Sequence, residues 1–185
     1  MTDHFHLLAA KANAEIDDLN RSLAAACASP PVVGSGETLA DIFFVKERPD
    51  ADEESAKAAF AGSSGDVILR AAERLGLPPG AMYGTNLLKC RLRSPSCADK
   101  CRAVLEQELG IVQPRLVFAM GEVAFSAVSA VLGSPLEFSP GATVRRVGRP
   151  TLIGSVDFDA AMTDESAKRQ LWRDLKLLGG VYSGR

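Results

Sequence analysis

Four short apolar runs, alternating with segments of helical periodicity, constrain this chain more than any other feature. The runs are Ala40–Lys46, Met82–Lys89, Arg115–Met120 and Thr151–Ser155. Helical patterns follow each of them: one with Val67, Ile68, Leu69, Ala71, Ala72 and Leu75 as its packing face, then about Cys97–Val112, about Glu122–Leu132 and about Asp164–Leu178. The order β-α-β-α-β-α-β-α predicts a parallel sheet covered by helices on both faces. The expected fold is a three-layer α/β/α sandwich with a four-stranded, mainly parallel sheet. A chain of 185 residues fits one such domain, 1–185. Residues 3–27 read as an amphipathic helix packed on it, with Asp3 as a cap and Leu7, Leu8, Ile16, Leu19 and Leu23 at helical spacing.

In an open α/β sheet, ligands bind beyond the carboxyl ends of the strands. Ala40–Lys46 ends directly in Glu47-Arg48-Pro49-Asp50, so Glu47 is a candidate general base. It is equally readable as a solvated loop acid beside Asp50, Asp52, Glu53 and Glu54. The connection that follows runs to about Gly65 without an evident element, a length more often functional than structural. Phe60 in it is either a stacking platform or a lid on the core. Asn86, near the end of the second buried run, must satisfy its amide on neighbouring backbone or on a polar ligand. An amide carries a donor and an acceptor, the match for a base edge.

Cys27, Cys90, Cys97 and Cys101 are the right number for one iron–sulfur cluster held by thiolates. The C-x6-C-x3-C spacing alone leaves zinc and incidental thiols open. His4 and His6 fall at the start of the first helix and read as surface residues. The net charge of −2 indicates no whole-protein field for steering DNA, although Arg145, Arg146 and Arg149 form a local basic segment. No apolar run approaches a membrane span. The first twenty residues lack a basic segment followed by an apolar one, so a cytoplasmic chain is expected.

Taken together, these elements resemble the uracil-DNA glycosylase superfamily, most closely its iron–sulfur branch, family 4. The resemblance is carried by Phe44-Val45-Lys46-Glu47-Arg48-Pro49-Asp50 and by Ala59-Phe60-Ala61-Gly62-Ser63-Ser64-Gly65. Thr85-Asn86-Leu87-Leu88-Lys89-Cys90-Arg91 and Pro114-Arg115 through Gly121 extend it. The closing helix, Lys168–Lys176, completes it, and about residues 27–178 are covered. It implies a glycosylase that extrudes a damaged base from DNA and hydrolyses its N-glycosidic bond. Glu47 would then orient or activate the attacking water, Phe60 stack on the base, and Asn86 read its edge. Cys90 and Cys101 fall at two cluster-ligand positions. Cys27 stands for a cysteine pair, and Cys97 supplies a fourth ligand to a 4Fe–4S cluster.

The chain also departs from that pattern. Lys46 and Asp50 replace two glycines. Asp157-Phe158 stands where the family has His-Pro. An anion at Asp157 opposes the charge building on a departing base unless it is protonated. Asp157, Asp159, Asp164 and Glu165 make an acidic rim where phosphate has to approach. The alternative function is therefore an inactive relative that binds nucleic acid, a small ligand or a protein partner. A monomer is expected.

Overall fold

The computed structural model describes residues 2–27, 29–90, 95–133 and 136–184, with the side chains of residues 2, 3, 95 and 96 set aside. The cap expected at Asp3 and the basic stretch Arg91-Leu92-Arg93-Ser94 lie outside what it describes. In chain order the elements are α1 (Thr2–Ala26), β1 (Ser35–Gly36), β2 (Ile42–Lys46), α2 (Ala51–Ala56), α3 (Ser63–Leu75) and β3 (Met82–Asn86). They continue as α4 (Pro95–Val112), β4 (Leu116–Met120), α5 (Glu122–Val131), β5 (Thr143–Val144), β6 (Thr151–Ser155), α6 (Phe158–Thr163) and α7 (Glu165–Tyr182).

The strands form one sheet in the order β1-β3-β2-β4-β6-β5. The four central strands are parallel, as expected. The sheet has six strands rather than four, because two-residue strands add antiparallel at each edge. Pieces that short carry no periodic signal in a sequence. The chain leaves β2 toward β3 and later returns to β4 on the other side of β2. That reversal opens a crevice at the carboxyl end of β2.

Alternation along the strands sorts the core into two layers. Phe43, Val45, Tyr83, Val117, Ala119 and Leu152 face one side, where α4 and α5 supply Leu105, Leu109, Val112, Phe125 and Val128. Ile42, Phe44, Met82, Phe118, Met120 and Ile153 face the other, against Ile68 and Ala72 of α3, Phe158 of α6, and Leu171, Leu175 and Leu178 of α7. Burying a side chain such as Phe43 or Phe118 contributes about 1.5–3 kcal/mol.

Only the second half of α1 belongs to this core. Leu19 and Leu23 pack on Val104 of α4. Leu7 is 68% exposed and Leu8 44%, contrary to the face expected of them, because among the described residues no element buries the first turns. Leu69 of α3, also assigned inward, is 49% exposed at the rim of a shallow hollow beside Phe60. No helix among the described residues is long and apolar enough to cross a membrane.

Candidate active site at the carboxyl ends of the strands

The connection after β2 is not a bare loop. Asp50 caps α2: its Oδ1 accepts the Glu53 N–H at 3.0 Å, and Glu53 Oε2 accepts the Asp50 N–H at 2.8 Å. This reciprocal pair is a capping box. Glu53, expected to be solvated with its acidic neighbours, is 0% exposed. The reason is Lys46. Its side chain turns inward from the end of β2, and a buried ammonium needs opposite charge. Nζ lies 2.9 Å from Glu53 Oε2 and 3.1 Å from Asp50 Oδ2. Burial pushes the Asp50 carboxyl up, but the Glu53 N–H and the Lys46 ammonium outweigh it and hold the carboxyl below its ordinary value.

Glu53 has a second task. Its Oε1 accepts the backbone N–H of Phe60. Phe60 has a φ of 54°, a left-handed conformation uncommon for a bulky residue. Two glycines accommodate it. A Cβ on Gly65 would stand 1.8 Å from the Phe60 carbonyl oxygen, and one on Gly84 would stand 2.4 Å from Cδ2 of the ring. The half-buried ring lies over Gly84 and meets Phe44 edge-on at 6.4 Å. Lys46 Nζ is 5.7 Å from its centroid and 5.4 Å from that of Phe158.

Asn86 ends β3 in register with Lys46 on β2. Register partners on parallel strands point to the same face, so Asn86 enters the layer that holds Lys46, Phe60 and Phe158. It is 0% exposed, and among the described residues neither Nδ2 nor Oδ1 has a hydrogen-bond partner. An unmatched buried amide costs about 1–3 kcal/mol.

Thr85 points the opposite way, into a buried network. Its Oγ1 donates to Glu108 Oε1 at 3.0 Å, the Lys89 ammonium sits 2.6 Å from Glu108 Oε2, and Tyr83 OH donates to Oε1 at 3.2 Å. Burial, then the Glu108 charge, pushes the Tyr83 phenol up, so it stays protonated. Glu108 was not singled out from the sequence. The signal was there, since it lies at helical spacing among the apolar inner positions Leu105 and Leu109. Glu53 was missed likewise, although Asp50-x-x-Glu53 ahead of a helix has capping-box spacing.

Glu47 and Asp157 come together. A cleft of about 300 Å³ is lined by Lys46, Glu47, Arg48, Asp157, Phe158 and Asp159. Glu47 is tied to Arg48 by a half-exposed ion pair, a contact of small worth. Its carbonyl accepts the Leu88 N–H at 2.8 Å, which fixes the end of β2 to the chain after β3. A short helix, α6, precedes the last one and begins within the acidic segment Asp157–Asp159. Asp157 caps α6, with Oδ1 accepting the Ala160 N–H at 2.9 Å. Asp159 is raised above the ordinary carboxylate range by burial and by Asp157 and Asp50, against the pull of Lys46 and Arg48. Asp164, another acid of the rim, caps α7 through the Ala167 N–H at 2.7 Å.

The four cysteines gather beside this frame. Cys90 and Cys97 Sγ are 3.1 Å apart, and Cys101 Sγ accepts the Lys89 N–H at 3.4 Å. Cys27 feels the charge of Cys97 and shares a hydrogen bond with Cys90. Burial, followed by Cys97, pushes the Cys90 thiol up to about 12. Cys101 is also raised, mainly by burial. Four thiols in one neighbourhood form the donor set of a four-thiolate centre. Among the described residues no three ligating side chains already stand in metal-binding geometry. The set fits such a group in number and chemistry. His4 and His6 are exposed on α1.

A mainly parallel sheet covered by helices, with a polar crevice at its switch point, defines an α/β domain of the open, doubly covered kind. The profile of the uracil DNA glycosylase superfamily matches residues 33–176, and the chain belongs to that superfamily. It is 33% identical over 111 residues to the type-4 uracil-DNA glycosylase of Pyrobaculum aerophilum, a match spanning 57% of each chain. It is 27% identical over 165 residues, 80% of each chain, to that of Archaeoglobus fulgidus. The type-4 uracil-DNA glycosylase of Thermotoga maritima is 26% identical over 135 residues, 66% of this chain and 70% of the relative.

Proposed function

We propose that this chain is a divergent DNA glycosylase that hydrolyses the N-glycosidic bond of uracil or another deaminated base. The observation that carries the reading is the buried amide of Asn86, without a partner among the described residues, on the sheet face where the Phe60 ring covers Gly84. A flipped base meets both needs at once, with a face for the ring and an edge for the amide. Glu47 orients a water toward the sugar carbon. Oxygen bonds to that carbon, the carbon–nitrogen bond breaks, its electron pair leaves with the base, and the water's proton passes to Glu47 or solvent. Phe158 and Phe60 bound the slot and exclude water. In this reading Cys27, Cys90, Cys97 and Cys101 hold a 4Fe–4S cluster, which braces the segment after β3 when bound, and the partner is DNA.

Asp157 favours a second reading. It falls where the resemblance has a histidine that stabilises charge on a leaving base, and its Oδ1 accepts the Ala160 N–H. A protein that binds a base or a nucleic acid without cleaving it needs no electrophile there. The experiment is to incubate the protein with uracil-containing single-stranded DNA and score alkali-labile abasic sites. The glycosylase reading expects product from the unaltered chain and a loss of at least about a hundredfold in Glu47→Ala and Asn86→Ala. No product on uracil, hypoxanthine or xanthine sinks it and leaves the binding reading.

A further inference from the structure

We propose that Lys46 is a second base-reading side chain, donating an N–H to a carbonyl on the edge of the base that Asn86 holds. The inference rests on base recognition at Asn86, as proposed above. An ammonium has three N–H donors. Asp50 Oδ2 and Glu53 Oε2 take two of them, at 3.1 and 2.9 Å. Among the described residues the third has no oxygen acceptor; Nζ otherwise faces the rings of Phe60 and Phe158.

Position follows from the sheet. Lys46 and Asn86 are register partners on adjacent strands, spaced about 4.8 Å apart, and both side chains leave on the same face. The unused donor of Lys46 and the donor and acceptor of Asn86 that lack partners among the described residues therefore belong to the same face of adjacent strands. A donor–acceptor–donor row complements a carbonyl, an N–H and a second carbonyl in line, which is the edge of uracil and of other bases with a keto group beside a ring N–H. The two carboxylates fix the ammonium in place and offset much of its charge. What reaches the base is a directed N–H, at a position where the amide alone covers only two of three edge groups.

The same geometry could make Lys46 a plug that keeps bases out, and the experiment separates the two. Uracil, 2-thiouracil and 4-thiouracil are titrated into the unaltered protein, because sulfur is a poorer acceptor than the carbonyl oxygen it replaces. Removing Lys46 strands Glu53, so Lys46→Met and Lys46→Gly are each made together with Glu53→Gln. The expected result is that the unaltered protein binds uracil and discriminates against both thiouracils, each about tenfold. The Lys46→Met/Glu53→Gln protein loses one of these preferences and keeps the other. Equal affinity for all three ligands in the unaltered protein overturns the inference. So does no measurable uracil binding, or Lys46→Gly/Glu53→Gln binding uracil as tightly as, or more tightly than, the unaltered protein. Excision is not read in these titrations. A chain that binds with this pattern but yields no abasic sites removes the glycosylase reading alone, and one in which Asn86→Ala binds normally removes the recognition it rests on.

Discussion

Nζ of Lys46 stands 2.9 Å from Oε2 of Glu53, and both groups are shut away from solvent at the end of β2. The pair joins three things: the strand end, the cap of α2, and the left-handed turn at Phe60. Removing one partner of a buried pair leaves a charge without compensation, which costs about 3–5 kcal/mol. Glu53→Ala is expected to lose that much stability in urea denaturation, and Glu53→Gln less, because its amide still accepts the Phe60 N–H. A Glu53→Ala protein within 1 kcal/mol of the parent (roughly the size of a surface pair) contradicts the arrangement.

Asn86 predicts the opposite sign. Its amide is buried and has no hydrogen-bond partner among the described residues. Replacing it with an apolar side chain of similar size removes an unmatched donor and acceptor. Asn86→Leu is expected to raise stability by about 1 kcal/mol, seen as a higher midpoint in thermal melting, while abolishing uracil binding. A destabilised Asn86→Leu places unseen partners around the amide and weakens the case for a ligand there.

Gly84 is the floor under Phe60. A Cβ there overlaps the ring at 2.4 Å, whereas a Cβ at Gly80 meets nothing within 4 Å. Gly84→Ala is expected to cost about 1–3 kcal/mol and to weaken base binding by moving the ring. Gly80→Ala serves as the control, within about 0.5 kcal/mol of the parent and with binding intact. Thermal melts and uracil titrations of the two variants check both statements.

Much of this arrangement was legible in the residues alone. The four central strands could be read because each is an apolar run closed by polar or turn residues, and Thr151–Ser155 forms over the very residues expected. Glu47, Asn86 and Phe60 could be singled out because each is a chemically odd residue at a strand end or in a long connection. What stayed hidden depends on the third dimension. Glu53 looked like part of a solvated acidic run until Lys46 turned inward to meet it. The short helix α6 that starts in the acidic segment Asp157–Asp159 spans too few residues to show a period. The edge strands were too short for periodicity, and Leu7 and Leu8 had the right spacing but no neighbour to pack on.

The cysteines make a pH prediction for protein prepared without metal. Burial pushes Cys90 from its ordinary value near 9 up to about 12, so the folded chain holds the thiol where the unfolded chain has ionised. The corresponding stability is complete below about pH 9 and is lost as pH rises toward about 12. Cys27 and Cys101 shift the same way and steepen the loss. Melting temperatures taken between these limits are expected to fall with pH, and less steeply in Cys90→Ala. Loading a metal group displaces those protons, so the loaded protein is expected to show a flatter profile. Equal slopes in parent and Cys90→Ala contradict the buried-thiol account.

The most direct measurement of the central claim is a crystal structure of the ligand-free protein soaked in uracil. The account predicts a planar base lying on the Phe60 ring, with Asn86 Oδ1 and Nδ2 both within hydrogen-bond distance of its edge and Glu47 facing the position of the sugar. Uracil bound elsewhere, or an Asn86 amide that makes no hydrogen bond to the base at saturating uracil, would contradict it.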